Sequence, residues 1–169
     1  MLNKRLGVLS VCAAGLMLML GVVQAGATAP TKVLKFYDPP AVATGVGFDL
    51  NSNTPPPVGG SEVIQAVLKN VGSQFGKPSG TAVGHVLLDC TVLSVNAAAG
   101  SVDGICTGIA HVPNGYFTFD GNGIFAQNGK VNHYAITGGV GPYADDRGEI
   151  KVVNKSNGGS VATVNLYSP

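Results

Sequence analysis

The sequence predicts an all-β protein of one domain, folded as a closed barrel or as a sandwich. Three observations lead there. After residue 80 the text alternates short β-branched or aromatic runs with Gly, Asn and Asp, the pattern of many strands joined by tight turns. Glycine is abundant, at 25 of 169 residues, and charged residues are only 11%, so turn chemistry is plentiful and fully polar faces are scarce. Both faces of the hairpin that begins at Ala82 are apolar, which suits a barrel with a packed or ligand-holding lumen, wrapped outside by loops, a helix or a partner chain. A sandwich accommodates the same text with less use of the long strand Ala82–Val95.

The chain opens with Lys4 and Arg5, an apolar run from Leu6 to Val23 and small residues around Ala25 and Ala27, the order of a secretory signal peptide cut after Ala25. The run is nearly long enough to span a bilayer, but two overlapping small-residue sites directly after it favour cleavage. Cys12 is then discarded with residues 1–25. Residues 26–169 form one domain, secreted or periplasmic, with no membrane attachment after cleavage. With ten basic and nine acidic residues in the whole chain, loss of Lys4 and Arg5 turns the formal charge from +1 to −1. No run of like charge exists, which argues against nucleic acid or an anionic membrane surface as a partner.

Strands are expected at Lys32–Tyr37 and Val42–Phe48. The next segment differs: "NSNTPPPVGG" is a Pro-rich surface loop that cannot feed a central ladder. Behind a capping Ser61, "SEVIQAVLKNVG" puts Val63, Ile64, Val67, Leu68 and Val71 at helical spacing and predicts a short helix, with a strand as the rival because Val and Ile lower helix propensity. Further strands follow at Ala82–Val95, Gly104–Val112, Tyr116–Phe119, Ile124–Gln127, Val131–Thr137, Glu149–Val153 and Val161–Tyr167. Turns are marked at Asn96–Gly100, Pro113-Asn114-Gly115, Asn128-Gly129 and Asn157-Gly158-Gly159.

Cys90 and Cys106 are expected to form one disulfide, worth roughly 3 kcal/mol for a loop of about fifteen residues. They fit no zinc or thiol-redox spacing. If the two stand opposite each other across the Asn96–Gly100 turn, His85 faces His111, Leu87 faces Ile109 and Asp89 faces Thr107. Continued through Pro113-Asn114-Gly115, this places Phe117 and Phe119 on the face of His85, Asp89 and His111. The other face then holds both cysteines with Val86, Leu88 and Val92.

"AITGGVGPYADDRGEI" contains Gly139-x-Gly141-x-x-Ala144, which has the form of a dinucleotide fingerprint. That loop must open a helix within a βαβ unit, whereas here Pro142 follows the second glycine and "ADDRGEI" has no amphipathic period. The glycines instead let the chain turn sharply between two late strands. The stretch resembles the Gly-Gly-Thr-Gly-x-Phe/Tyr-x-x-x-Arg-Gly segment of dirigent proteins and their bacterial relatives, matched by Gly138, Gly139, Gly141, Tyr143, Arg147 and Gly148. "LKFYDPP", "GTAVGHVLLDC" and "VATVNLY" follow the order of that family's opening, middle and closing strands. The resemblance implies an eight-stranded antiparallel β-barrel of allene oxide cyclase/dirigent type, with a short helix or Pro-rich insertion added here. It also implies an apolar lumen, a dimer or trimer, and no metal or redox cofactor. Family activities imply a cofactor-free cyclisation, isomerisation or coupling of a hydrophobic small molecule. The chain departs from the family where Tyr37 replaces its His and His85 its Arg, so substrate preference does not transfer.

Five residues are candidates for catalysis. His85, Asp89 and His111 would make a polar patch in an apolar lumen, where burial raises an Asp pKa and lowers those of His. Their bland role is to satisfy one another or the backbone. The resemblance implies that Asp38 is the acid at the barrel mouth, with Tyr37 a hydroxyl partner; structurally, Asp before Pro39 opens a turn. Asp145, Asp146, Arg147 and Glu149 read as a solvated cluster, with Arg147 a candidate clamp on carbonyls of the Gly-rich turn. There is no Gly-x-Ser-x-Gly elbow and no Walker loop. A lipocalin-like carrier and a barrel filled by its own side chains are the non-catalytic alternatives.

Overall fold

The computed structural model describes residues 29–46, 56–96, 98, 101–125 and 129–169. The predicted signal segment 1–25, the ends of the strands expected at 42–48 and 124–127, the start of the Pro-rich loop and most of the 96–100 turn lie outside the described residues. Nine strands follow in order: β1 (Lys32–Asp38), β2 (Val42–Val46), β3 (Ser61–Asn70), β4 (Ala82–Asn96), β5 (Ser101–Val112), β6 (Gly115–Phe125), β7 (Val131–Val140), β8 (Arg147–Asn154) and β9 (Ser160–Tyr167). All pairings are antiparallel, β3 through β9 pair in chain order, and β1 closes the sheet between β9 and β3. β2 pairs with the start of β3, whereas β1 meets only its end, at Phe36↔Asn70 and Tyr37↔Lys69. The two short strands therefore share one stave of an eight-stranded barrel, broken at Pro39-Pro40, where the ring nitrogens have no hydrogen to donate to a ladder.

The helix expected over residues 61–71 is a strand instead. Val63 and Val67 face outward while Ala66 and Leu68 are buried, a period of two that the apolar outer positions concealed from the sequence. The strands expected at 116–119 and 124–127 are one strand, β6. The intervening residues Asp120-Gly121-Asn122-Gly123 pair with β5, and Gly121 must be glycine because a Cβ there would lie 2.5 Å from the His133 carbonyl oxygen and 2.9 Å from the Tyr134 Cα.

The β4–β5 register is the one expected, with His85↔His111, Leu87↔Ile109 and Asp89↔Thr107, and Cys90 bonded to Cys106 directly across the ladder. The step into β6 corrects the assignment of faces. Val112 pairs with Gly115, so the turn is the two-residue Pro113-Asn114, with Asn114 at φ 70, the Pro-then-positive-φ order of a type II turn. Ala110 therefore pairs with Phe117 and Gly108 with Phe119. Both rings join Val86, Leu88 and the cystine on the inner face, and His85, Asp89 and His111 are left on the outer one.

Inward side chains build a single core. Phe36, Phe117, Val164 and Leu166 are almost completely buried, each contributing about 1.5–3 kcal/mol by leaving water. Among the described residues no helix is long and apolar enough to cross a membrane.

Candidate functional site

Among the described residues, the barrel is stoppered at the Gly-rich end. At the Gly-rich end, Gly138 and Gly139 finish β7 and a single 3-10 turn, Gly141–Tyr143, folds Tyr143 across the base, where it is 1% exposed. Its ring meets Phe117 edge-on at 5.8 Å, with the Lys32 ammonium 4.6 Å from its centroid. Burial and the charge of Asp146 both push the Tyr143 phenol up, so it stays neutral. Gly139 must be glycine, since a Cβ would strike the Tyr143 carbonyl oxygen, and Gly141 sits at φ +70 against the Asn114 carbonyl oxygen. Asp146 is buried and accepts from Ser168 Oγ at 2.6 Å, while Arg147 donates to the Asp146 carbonyl at 2.9 Å. The clamp expected from Arg147 on carbonyls of the Gly-rich turn is therefore replaced by a contact with its neighbour in sequence, and Asp146, expected in a solvated cluster, is buried.

Above that base lies a cavity of about 420 Å³. Its wall is apolar, with Leu68, Val86, Ala110 and Val164 deep and the rings of Phe36, Phe117, Phe119 and Tyr134 around it. Phe119 and Tyr134 meet edge-on at 5.6 Å, and burial pushes the Tyr134 phenol up to about 12. At the other end the lining passes to Asp38, Asn132, Asn154, Ser160 and the exposed Ala41, Lys155 and Ser156, so among the described residues the lumen opens there. Side chains of the described residues therefore leave the lumen unfilled.

Asp38 is the last residue of β1 and lines this mouth. Its Oδ2 accepts from Ser160 Oγ at 2.9 Å, across the Asp38↔Ser160 pair that ends the β1–β9 ladder. Its Oδ1 is buried and has no hydrogen-bond partner. Desolvation raises the carboxyl from 3.8 to about 6, partly opposed by the Ser160 hydrogen bond. Glu62, inward-facing beside Cys90 on β3, is also raised by burial.

Of the five candidates from sequence, Asp38 alone lines the cavity. Tyr37 alternates to the outside, where its hydroxyl accepts from Asn157 Nδ2 at 3.2 Å and its ring abuts Gly159, so it props the 154–160 loop at the mouth. His85 and His111 stack at 4.6 Å outside the wall, next to Tyr116 at 5.5 Å, and Asp89 is exposed there. Among the described residues no group of three or more His, Cys, Asp or Glu is placed to hold a metal. Sequence reasoning missed Asn132, Tyr134 and Ser160. Tyr134 and Asn132 carry a signal in the alternation of β7, where every second residue from Asn132 to Ile136 is buried.

No protein-family model and no curated protein sequence matches the chain. Solved structures do. A pyocyanin demethylase matches with a TM-score of 0.59 at 19% identity, over 80% of this chain and 99% of that one. A Diels–Alderase from Streptomyces koyangensis matches at 0.56 and 10% identity, over 82% of this chain and 64% of that one. A pterocarpan synthase dirigent protein matches at 0.54 and 15% identity, over 85% and 89%. The chain therefore has the barrel fold of the dirigent type that the Gly-rich segment suggested.

Proposed function

We propose that this barrel binds a hydrophobic small molecule in its lumen and steers a cofactor-free cyclisation, isomerisation or coupling with Asp38 as proton donor and acceptor. The observation that carries this reading is a buried carboxyl with one free oxygen at the mouth of an apolar cavity. A carboxyl titrating at about 6 is populated in both forms near neutrality. Protonated, it delivers its proton to an oxygen of the bound compound; ionised, it takes one from carbon or oxygen, so a proton can return to it within one turnover. The wall holds the reacting atoms close and excludes water, which adds orientation and keeps the charge of Asp38 unscreened. Tyr37 holds the rim loop through Asn157. That three structural neighbours carry names of enzymes or of a dirigent protein supports chemistry in such a lumen.

Two further features support the setting. The buried cystine is the kind that persists in an oxidising compartment, in keeping with a secreted or periplasmic protein. Exposed Val63, Val67, Leu87 and Ile105 on the outer wall support self-association as a dimer or trimer.

A carrier is the second reading, favoured by the scarcity of polar groups in the deep lumen. Mass spectrometry of apolar compounds that co-purify with the protein from its native host, followed by incubation with wild type and Asp38→Asn, separates the two. Catalysis predicts a compound converted by the wild type and bound but unconverted by the variant; equal conversion by both removes Asp38 from the chemistry.

A further inference from the structure

We propose that the open end of the lumen recognises an aromatic cation, a flat apolar ring system carrying a protonated nitrogen that docks against the free oxygen of Asp38. The inference rests on the reading of the lumen as a ligand site and names the class of compound that fits it. Asp38 lines the cavity, its Oδ2 is taken by Ser160, and its Oδ1 is buried without a partner, so one acceptor is left unsatisfied in the wall of the lumen. Among the described residues the contact of salt-bridge length is His133–Glu149 at 4.0 Å, on the outer face of β7 and β8, and no lysine or arginine reaches the Asp38 carboxylate. A desolvated carboxylate with no internal counter-charge is stabilised most by a donor that brings a positive charge.

The wall beneath selects the rest of the compound. Phe36, Phe117, Phe119 and Tyr134 surround the cavity, and their ring faces carry the negative side of the aromatic quadrupole, which attracts both offset rings and cations. Glu62, a second half-buried carboxyl, lies on the inward side of β3 toward the same end. Lys155 is the opposing feature. It lies on the rim with its side chain exposed and would draw an anion instead. The charge preference of the site therefore discriminates between Asp38 and Lys155 as the recognising group.

The test uses three planar three-ring probes of similar size: 9-aminoacridine as cation, anthracene as neutral body and anthracene-9-carboxylate as anion. Each is titrated by fluorescence into the purified protein, into Asp38→Asn, into Ser160→Ala and into Asp120→Asn, an exposed carboxylate on the outside of β6. The expected result is that the cation binds at least about tenfold more tightly than the neutral probe, with the anion weakest. Asp38→Asn brings the cation down to the level of anthracene and leaves anthracene unchanged, which also shows that the lumen is intact. Ser160→Ala keeps the carboxylate and keeps the cation preference, and Asp120→Asn alters nothing. A cation bound no more tightly than anthracene, or a preference that survives Asp38→Asn, overturns the proposal while the ligand-site reading stands. Tightest binding of the anion overturns it in favour of Lys155. Failure of all three probes to bind overturns both this proposal and the ligand-site reading.

Discussion

The two ends of the barrel solve opposite problems with the same materials. At the Gly-rich end Asp146 accepts from Ser168, Arg147 donates to a carbonyl, and Tyr143 packs between Phe117 and Lys32, although the Asn70 amide oxygen at the end of β3 is buried without a partner. At the mouth, Asp38 keeps one oxygen unpaired and buried, the β1–β2 stave is broken by two prolines, and the wall gives way to a cavity. A buried polar group without a partner costs about 1–3 kcal/mol, more when charged. The closed end is built for stability, and the open end gives some of it up. Such local sacrifice marks functional sites more often than structural ones.

The largest effect is expected at the stopper. Tyr143→Ala removes a ring that is 1% exposed and should cost about 3–5 kcal/mol in urea unfolding, as large-to-small changes of buried aromatics do. A loss under about 1 kcal/mol would erase the contrast between the ends. Gly139→Ala should cost about 1–3 kcal/mol, because the new methyl meets the backbone oxygens of Tyr143 and Tyr116 rather than a side chain able to move aside.

Asp38 should behave in the opposite sense. Its folded pKa of about 6 lies above its ordinary 3.8, so between those values the folded protein holds a proton that the unfolded chain has released. Stability therefore falls as pH rises from about 4 to about 6 and levels off above, by about 3 kcal/mol in order of magnitude. Glu62 adds a smaller fall of the same sign. Asp38→Asn should remove the larger part of this slope and leave the variant more stable than wild type at neutral pH. Urea midpoints measured across that range check it, and a variant that is less stable at neutral pH would show that the carboxylate is compensated after all. The smallest effect belongs to the outer wall, where His85→Ala should change stability by no more than about 0.5 kcal/mol and leave ligand binding alone.

The same contrast explains what the sequence made legible. Glycine spacing and alternation reveal backbone requirements, so the barrel, the β4–β5 register, the cystine and the Gly-rich turn could all be read. The contents of the lumen depend on parity, and parity on one turn. Reading Pro113-Asn114-Gly115 as three turn residues instead of two moved Phe117 and Phe119 to the wrong side of the wall and put His85, Asp89 and His111 in their place. Residues 61–70 misled for a related reason: Val63 and Val67 are apolar on the outer face, so a strand carried the spacing of a helix. Asp38 was found only through resemblance, because nothing local distinguishes an Asp-Pro turn opener from an acid whose partner, Ser160, lies 122 residues away.

The carboxyl of Asp38 can be observed directly by carbon-13 NMR of protein labelled at aspartate, with Asp38→Asn supplying the assignment. An apolar, open lumen with an uncompensated acid at its mouth predicts a titration midpoint of about 6 that moves when an apolar ligand fills the cavity. A midpoint near the ordinary 3.8, unmoved by ligand, would mean that water or a partner already satisfies the group and would contradict the account of the open end.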